Sequence, residues 1–227
     1  MTTTGKRVRL TADTFYILSL LPKLDRLMLA VRKNGFLYER LGFVDSVEEM
    51  DGTVKVSGPG HDAEINIAAL DNVEYDTCNE MRGKIYPRLD FIGKDGEIAF
   101  SVVGLEGLEP FEQLLSTEEA TQVDKKPRAA SDGEEPDLEA DPAGPYLNSL
   151  PGTGDVTVRV TTNAVTQAWT GEVEKVLPMG GCFNIITKTF HLHLPGGILA
   201  GWEEDGARHH AKLPGGEPGG LTVELQP

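Results

Sequence analysis

Cysteine is nearly absent from this 227-residue chain: Cys78 and Cys182 stand alone. With no Cys-x-x-Cys pair, a zinc ribbon is excluded, and two isolated cysteines do not make a disulfide framework. Aromatic residues are few, at 7 %, and bases are outnumbered, 21 against 36 acids, for a formal net charge of −15. A surface so acidic repels phosphate backbones and anionic headgroups, so neither nucleic acid nor a membrane is an expected partner. Long hydrophobic runs are missing too. "FYILSLL", residues 15–21, is too short for a span, follows Asp13 and precedes no small-residue cleavage site. No signal peptide is expected, and the cytoplasm is the expected compartment. No nucleotide-binding glycine loop, nucleophile elbow or HExxH motif is present.

The apolar fraction is 39 %, and 26 glycines bring the chain close to globular composition. One stretch departs from it. Residues 116–145, "STEEATQVDKKPRAASDGEEPDLEADPAGP", hold nine acids against three bases and no aromatic. Such a segment buries too little surface to offset its ordering entropy. The expected organisation is therefore a first β repeat with N-terminal helices over residues 1–115, an acidic flexible linker over 116–145, and a second β repeat over 146–227.

The repeat rests on alignment of the flanking parts. At an offset of 129, Val44 meets Val173, Met50 meets Met179, Gly52 meets Gly181 and Val54 meets Phe183. After an assumed two-residue deletion, Ile65 meets Leu192 and Tyr75 meets Trp202. The apolar positions keep a period of two, which is the strand period. "TFYILSLLPKLDRLMLAVR" has helical spacing and predicts one or two short helices interrupted at Pro22. "GKDGE" predicts a tight hairpin turn. The expected fold class is α+β, mostly antiparallel, with two similar β-meander units and a few short helices.

Four of the five histidines fall within residues 191–210: His191, His193, His209 and His210. In "FHLHL" the apolar residues take one face of a strand and His191 and His193 the other, about 6.5–7 Å apart. They are either outward sheet residues or ligands. As ligands, the His-x-His pair, with His209 and His210 and with Glu203 or Glu204, binds a single metal ion.

Both halves resemble the bacterial haem-utilisation proteins of the HemS and ChuX type. The second half carries "WTGEVEKVLPMGGCFNIITKTFHLHLPGGILAGWEED", similar to that family's "HTGPVxxVxxMGPWxNVLDPxFNLHLxxxxIAxxW" block. The first carries "LPKLDRLMLAVRKNGFLYERLGFVDSV" and "LDFIGKDGEIAFSVVGL", which resemble the family's two N-terminal blocks. The resemblance implies a two-repeat fold and a haem or tetrapyrrole carrier or degrading protein, with room for a protein partner or a homodimer. Catalysis is left open, because ring opening needs an open iron site and an electron donor. The family's motif histidines are replaced here by Tyr38 and Trp169. The candidate haem site is therefore His191, as iron ligand, with His193, His209, His210, Tyr38, Trp169 and, for the propionates, Arg88. Tyr38 is either an axial phenolate favoured by Arg40 or a packed core aromatic. A scaffold that kept the fold without haem, or a small His-ligated metalloprotein, is the alternative.

Overall fold

The computed structural model describes residues 5–124 and 135–226. The first part of the chain runs β1 (Arg7–Leu10), α1 (Thr14–Ser19), β2 (Leu27–Lys33), β3 (Phe36–Gly42), β4 (Ser46–Met50), β5 (Thr53–Gly58), β6 (His61–Asn66), β7 (Leu70–Asp76), β8 (Glu80–Met81), β9 (Lys84–Ile85), β10 (Arg88–Gly93), β11 (Ile98–Gly104), α2 (Glu109–Leu114) and β12 (Ala120–Gln122). The rest runs α3 (Gly144–Ser149), β13 (Asp155–Thr161), β14 (Val165–Glu172), β15 (Leu177–Met179), β16 (Cys182–Ile186), β17 (Phe190–Pro195), β18 (Gly201–Asp205), β19 (Arg208–Lys212) and β20 (Pro218–Leu225). The fold is mostly antiparallel β with three short α-helices among the described residues, as the sequence implies.

Asp13 starts α1: its Oδ1 accepts from the backbone N–H of Phe15 at 2.9 Å and of Tyr16 at 3.2 Å. A 3-10 turn at Leu21–Lys23, with Pro22 inside it, ends the helical run. From Leu27 the expected second helix gives way to β2. Leu27, Leu29 and Val31 alternate with partly exposed neighbours, and that period of two wins over local helical spacing. Asn34 and Gly35 then take φ of 49° and 91°, the left-handed pair that a tight hairpin needs. Helices are not confined to the first half, since α3 lies in the second.

The described residues divide into two compact units. One is formed by residues 5–30, 41–124 and 163–165, the other by residues 31–40, 135–162 and 166–226. In the first, the strand order is β12-β1-β7-β10-β11-β2, with a separate meander β4-β5-β6. In the second, the orders are β18-β19-β20-β13-β14 and β3-β17-β16-β15. The same element succession occurs twice: a hairpin, a meander, then strands that return beside the hairpin's first strand. The tip of each hairpin belongs to the unit that holds the other repeat's strands.

Register tests the repeat. Met50 pairs with Thr53 and Val54 with Ile65; Met179 pairs with Cys182 and Phe183 with Leu194. Val56 pairs with Ala63, and Ile185 with Leu192. The offset of 129 therefore runs unbroken through the meander, and Ile65 corresponds to Leu194, not to Leu192. The expected two-residue deletion does not occur within this hairpin. A shift of two residues keeps every side chain on its face, so alternation alone cannot detect it. His191 and His193 thus correspond to Asp62 and Glu64.

The acidic segment is not a free linker at its described ends. Ala120–Gln122 pairs with β1 as an edge strand. Asp141 is buried: its Oδ1 accepts from Ala143 N at 2.8 Å and its Oδ2 from Gly197 N at 2.6 Å. Composition misses this because backbone pairing and a buried hydrogen-bonding carboxylate need no hydrophobic residue. The middle of the segment, residues 125–134, lies outside the described residues.

In the first unit one sheet face is a buried ion cluster. Arg7, fully buried on β1, faces Glu74 and Asp76 of β7 and Asp90 of β10. Its Nε donates to Glu74 at 2.8 Å and its Nη1 to Asp76 at 2.7 Å. Its Nη2 makes charge contacts with Glu74 and Asp90 at 2.7 and 2.8 Å without hydrogen-bond geometry. Arg88 adds contacts to Asp76 at 3.0 Å and Asp90 at 2.9 Å, and Ser101 donates to Asp90 at 2.5 Å. Asp90→Ala strips the two guanidinium groups of a shared partner and should cost about 3–5 kcal/mol. Arg9→Ala removes a half-exposed contact at 3.4 Å and should cost under about 1 kcal/mol. Urea unfolding of the two variants checks the contrast.

Candidate functional site

Strand β17 packs its odd and even residues differently. Phe190, Leu192 and Leu194 are buried, whereas the His191 and His193 side chains keep 25 % and 31 % of their surface. Phe190 is held between Tyr38 of β3, ring centres 4.9 Å apart, and Trp169 of β14, 4.6 Å away and nearly parallel. This packing fixes the register of β17 on β3, in which Leu192 lies opposite Tyr38 and His191 opposite Glu39. On its other side β17 places His193 opposite Asn184 of β16. The sheet face opposite Phe190 in the second unit therefore carries the buried Glu39 and Asn184 beside the partly exposed His191 and His193.

The patch is connected. His191 Nδ1 lies 3.2 Å from Glu39 Oε2, and His193 Nε2 lies 3.7 Å from the same oxygen. The Asn184 amide nitrogen donates to the carbonyls of Leu177, Met179 and Cys182 at 2.9, 3.0 and 3.0 Å. The other end of that amide must then be the oxygen, an acceptor, and it lies 2.7 Å from His193 Nδ1. His193 therefore donates its Nδ1–H, and in the neutral imidazole the lone pair sits on Nε2, turned toward Glu39. Among the described residues, Glu39, His191 and His193 are the group whose ligand atoms lie close enough to hold a metal ion, within 4.8 Å of one another.

Glu39 is buried. Burial pushes its carboxyl up, but hydrogen bonds from His191 and His193, with their charge, outweigh that and hold it at about 2. Tyr38 is not a ligand. It is fully buried, and its hydroxyl donates to Val158 O at 2.9 Å. Arg40, expected to favour a phenolate, donates instead to the carbonyls of Thr189 and Ala168. Trp169 is a core residue, not the wall of an open cleft. Arg88 is committed to the ion cluster of the first unit. His209 stacks on Tyr146, ring centres 4.0 Å apart, and His210 Nδ1 is 3.2 Å from Thr222 Oγ1, so neither joins His191 and His193. Lys212 holds Glu203 at 2.8 Å. Burial, and then the Glu135 charge, push the Cys182 thiol up, away from the thiolate form a soft metal takes. Glu39 was missed from sequence. Its outward parity could be read from "LYER", but its partner strand lies 152 residues away.

No protein-family model matches the chain, and no curated protein matches it in sequence. Solved structures do. ChuS, a haem oxygenase of E. coli, superposes with a TM-score of 0.73 at 15 % identity, over 98 % of this chain and 84 % of its own. Haem-loaded PhuS, a haem-binding protein from Pseudomonas aeruginosa, gives 0.70 at 17 % identity, over 98 % and 82 %. The chain has the ChuS and PhuS fold. The resemblance read from the sequence motifs thus holds at the level of architecture, over both repeats. No helix among the described residues is long and apolar enough to cross a membrane.

Because the Glu39 carboxyl is depressed to about 2 in the folded chain, its contribution to stability is present above its ordinary value near 4.5 and is lost as pH falls toward 2. The span corresponds to about 3 kcal/mol. Glu39→Gln should lack this acid limb, and urea midpoints between pH 6 and pH 2 compare the two proteins.

Proposed function

We propose that the chain is a cytoplasmic protein that binds haem or a related tetrapyrrole through an imidazole of β17, with His193 as iron ligand ahead of His191. The observation that carries this reading is the fixed orientation of His193. Asn184 takes its Nδ1–H, so a ligand-competent Nε2 lies on a partly exposed sheet face. His191, whose Nδ1 faces the Glu39 carboxylate, offers its Nε2 in the same way and is the second candidate. The fold shared with ChuS and PhuS, one a haem oxygenase and the other a haem-binding protein, supports the same reading.

The remaining groups named from sequence fit a macrocycle less well. Tyr38 and Trp169 are core residues, and Arg88 has carboxylate partners. Two further bases of the second repeat, Arg208 and Lys212, are paired with carboxylates as well. The fit is to axial ligation alone, so carrying or holding the macrocycle is favoured over ring opening. Haem titration of the purified chain should give a saturable, shifted Soret band. His193→Ala should weaken binding about tenfold or more, an effect of the size seen when metal ligation is disturbed. Tyr38→Phe should keep the spectrum while losing about 0.5–1.5 kcal/mol of stability, since the buried hydrogen bond to the Val158 carbonyl is lost. A broad, non-saturating free-haem spectrum with the wild-type chain overturns the proposal.

A further inference from the structure

We infer that Glu39, His191 and His193 form a binding site for one divalent transition-metal ion, distinct from any porphyrin iron. The starting observation is the convergence of three ligand-type side chains on one point. His193 Nε2 lies 3.7 Å from Glu39 Oε2. Bonds of about 2.1 Å to a tetrahedral ion put neighbouring ligand atoms about 3.4 Å apart, so a small side-chain rotation closes the gap. His191 Nδ1, 3.2 Å from the same oxygen, completes a cluster of two nitrogens and one oxygen within 4.8 Å.

The surroundings support a metal site beyond the three ligands. His193 gives its second ring N–H to Asn184, and three backbone carbonyls hold that amide, which is the outer support that metal-bound imidazoles need. The three ligands sit on two paired strands, so the sheet backbone sets their spacing. Glu39 supplies a buried negative charge, and the two imidazoles leave the outward side open. Three protein ligands with an open side form the arrangement of an accessible metal centre, and the donor set favours zinc, cobalt or iron(II) over magnesium or calcium. The equivalent positions of the first repeat carry Asp62 and Glu64, so the imidazole pair belongs to one repeat only.

The site does not depend on tetrapyrrole binding, because Glu39 has no part in axial ligation. The test uses the full chain, with any affinity tag removed and stripped with a chelator, titrated with Co²⁺ and Zn²⁺ by calorimetry and visible absorption. One equivalent should bind, with the visible bands of low-coordinate cobalt, and Mg²⁺ should not compete. Glu39→Gln and Asn184→Ala should each weaken Co²⁺ by about tenfold or more. Zinc-loaded wild type should take up haem more weakly if the tetrapyrrole reading also holds, since both use His193. Circular dichroism confirms that each variant is folded. The inference is overturned if folded wild type binds no Co²⁺ saturably, or if Glu39→Gln and His193→Ala bind it as well as wild type. Co²⁺ binding without haem binding sinks the tetrapyrrole reading alone.

Discussion

The second unit depends on the seating of Phe190 between Tyr38 and Trp169. An aromatic side chain buries more apolar surface than any other, and here one ring joins three strands. Its position fixes the pairing of β17 with β3, and the pleat does the rest: with Phe190, Leu192 and Leu194 inward, His191 and His193 have one face left to occupy. Glu39 follows from the same constraint, because Tyr38 points inward beside it. The chemistry of the outer face is thus held in place by the packing of the inner one.

The alternation of apolar and polar residues made most of the strands legible, along with the hairpin at Gly93–Glu97 and the outward direction of the two histidines. The run from Leu27 to Lys33 was misread because its leucines fit both periods, and only pairing with β11 decides between them. Short strands with charged faces, such as Arg7–Leu10 and Leu70–Asp76, gave little apolar signal since their partners are ions. The same limit hid the site. Tyr38 stayed open between an axial phenolate and a packed aromatic, and Trp169 stood among the haem-site residues, because a residue's partners at long range are set by which strands meet, and one sequence does not show that. Glu39 lay beside a residue that drew attention and was passed over.

The protein gathers ionised groups out of water in two places, with different outcomes. In the first unit Arg7 and Arg88 already meet Glu74, Asp76 and Asp90, and the cluster is closed by its own cations. In the second, a buried carboxylate meets two imidazoles, groups that also serve as metal ligands. The closed cluster has no member left without a counter-charge, whereas the imidazole cluster keeps two partly exposed rings. The excess of acid over base in the composition therefore says little about either place, since local pairing decides what each carboxylate does.

The hairpin tip at residues 31–40 belongs to the second unit although its sequence lies in the first repeat. A polypeptide severed between the repeats would carry the carboxylate on one fragment and both imidazoles on the other. The cluster is thus a property of the whole chain, because neither fragment holds all three side chains.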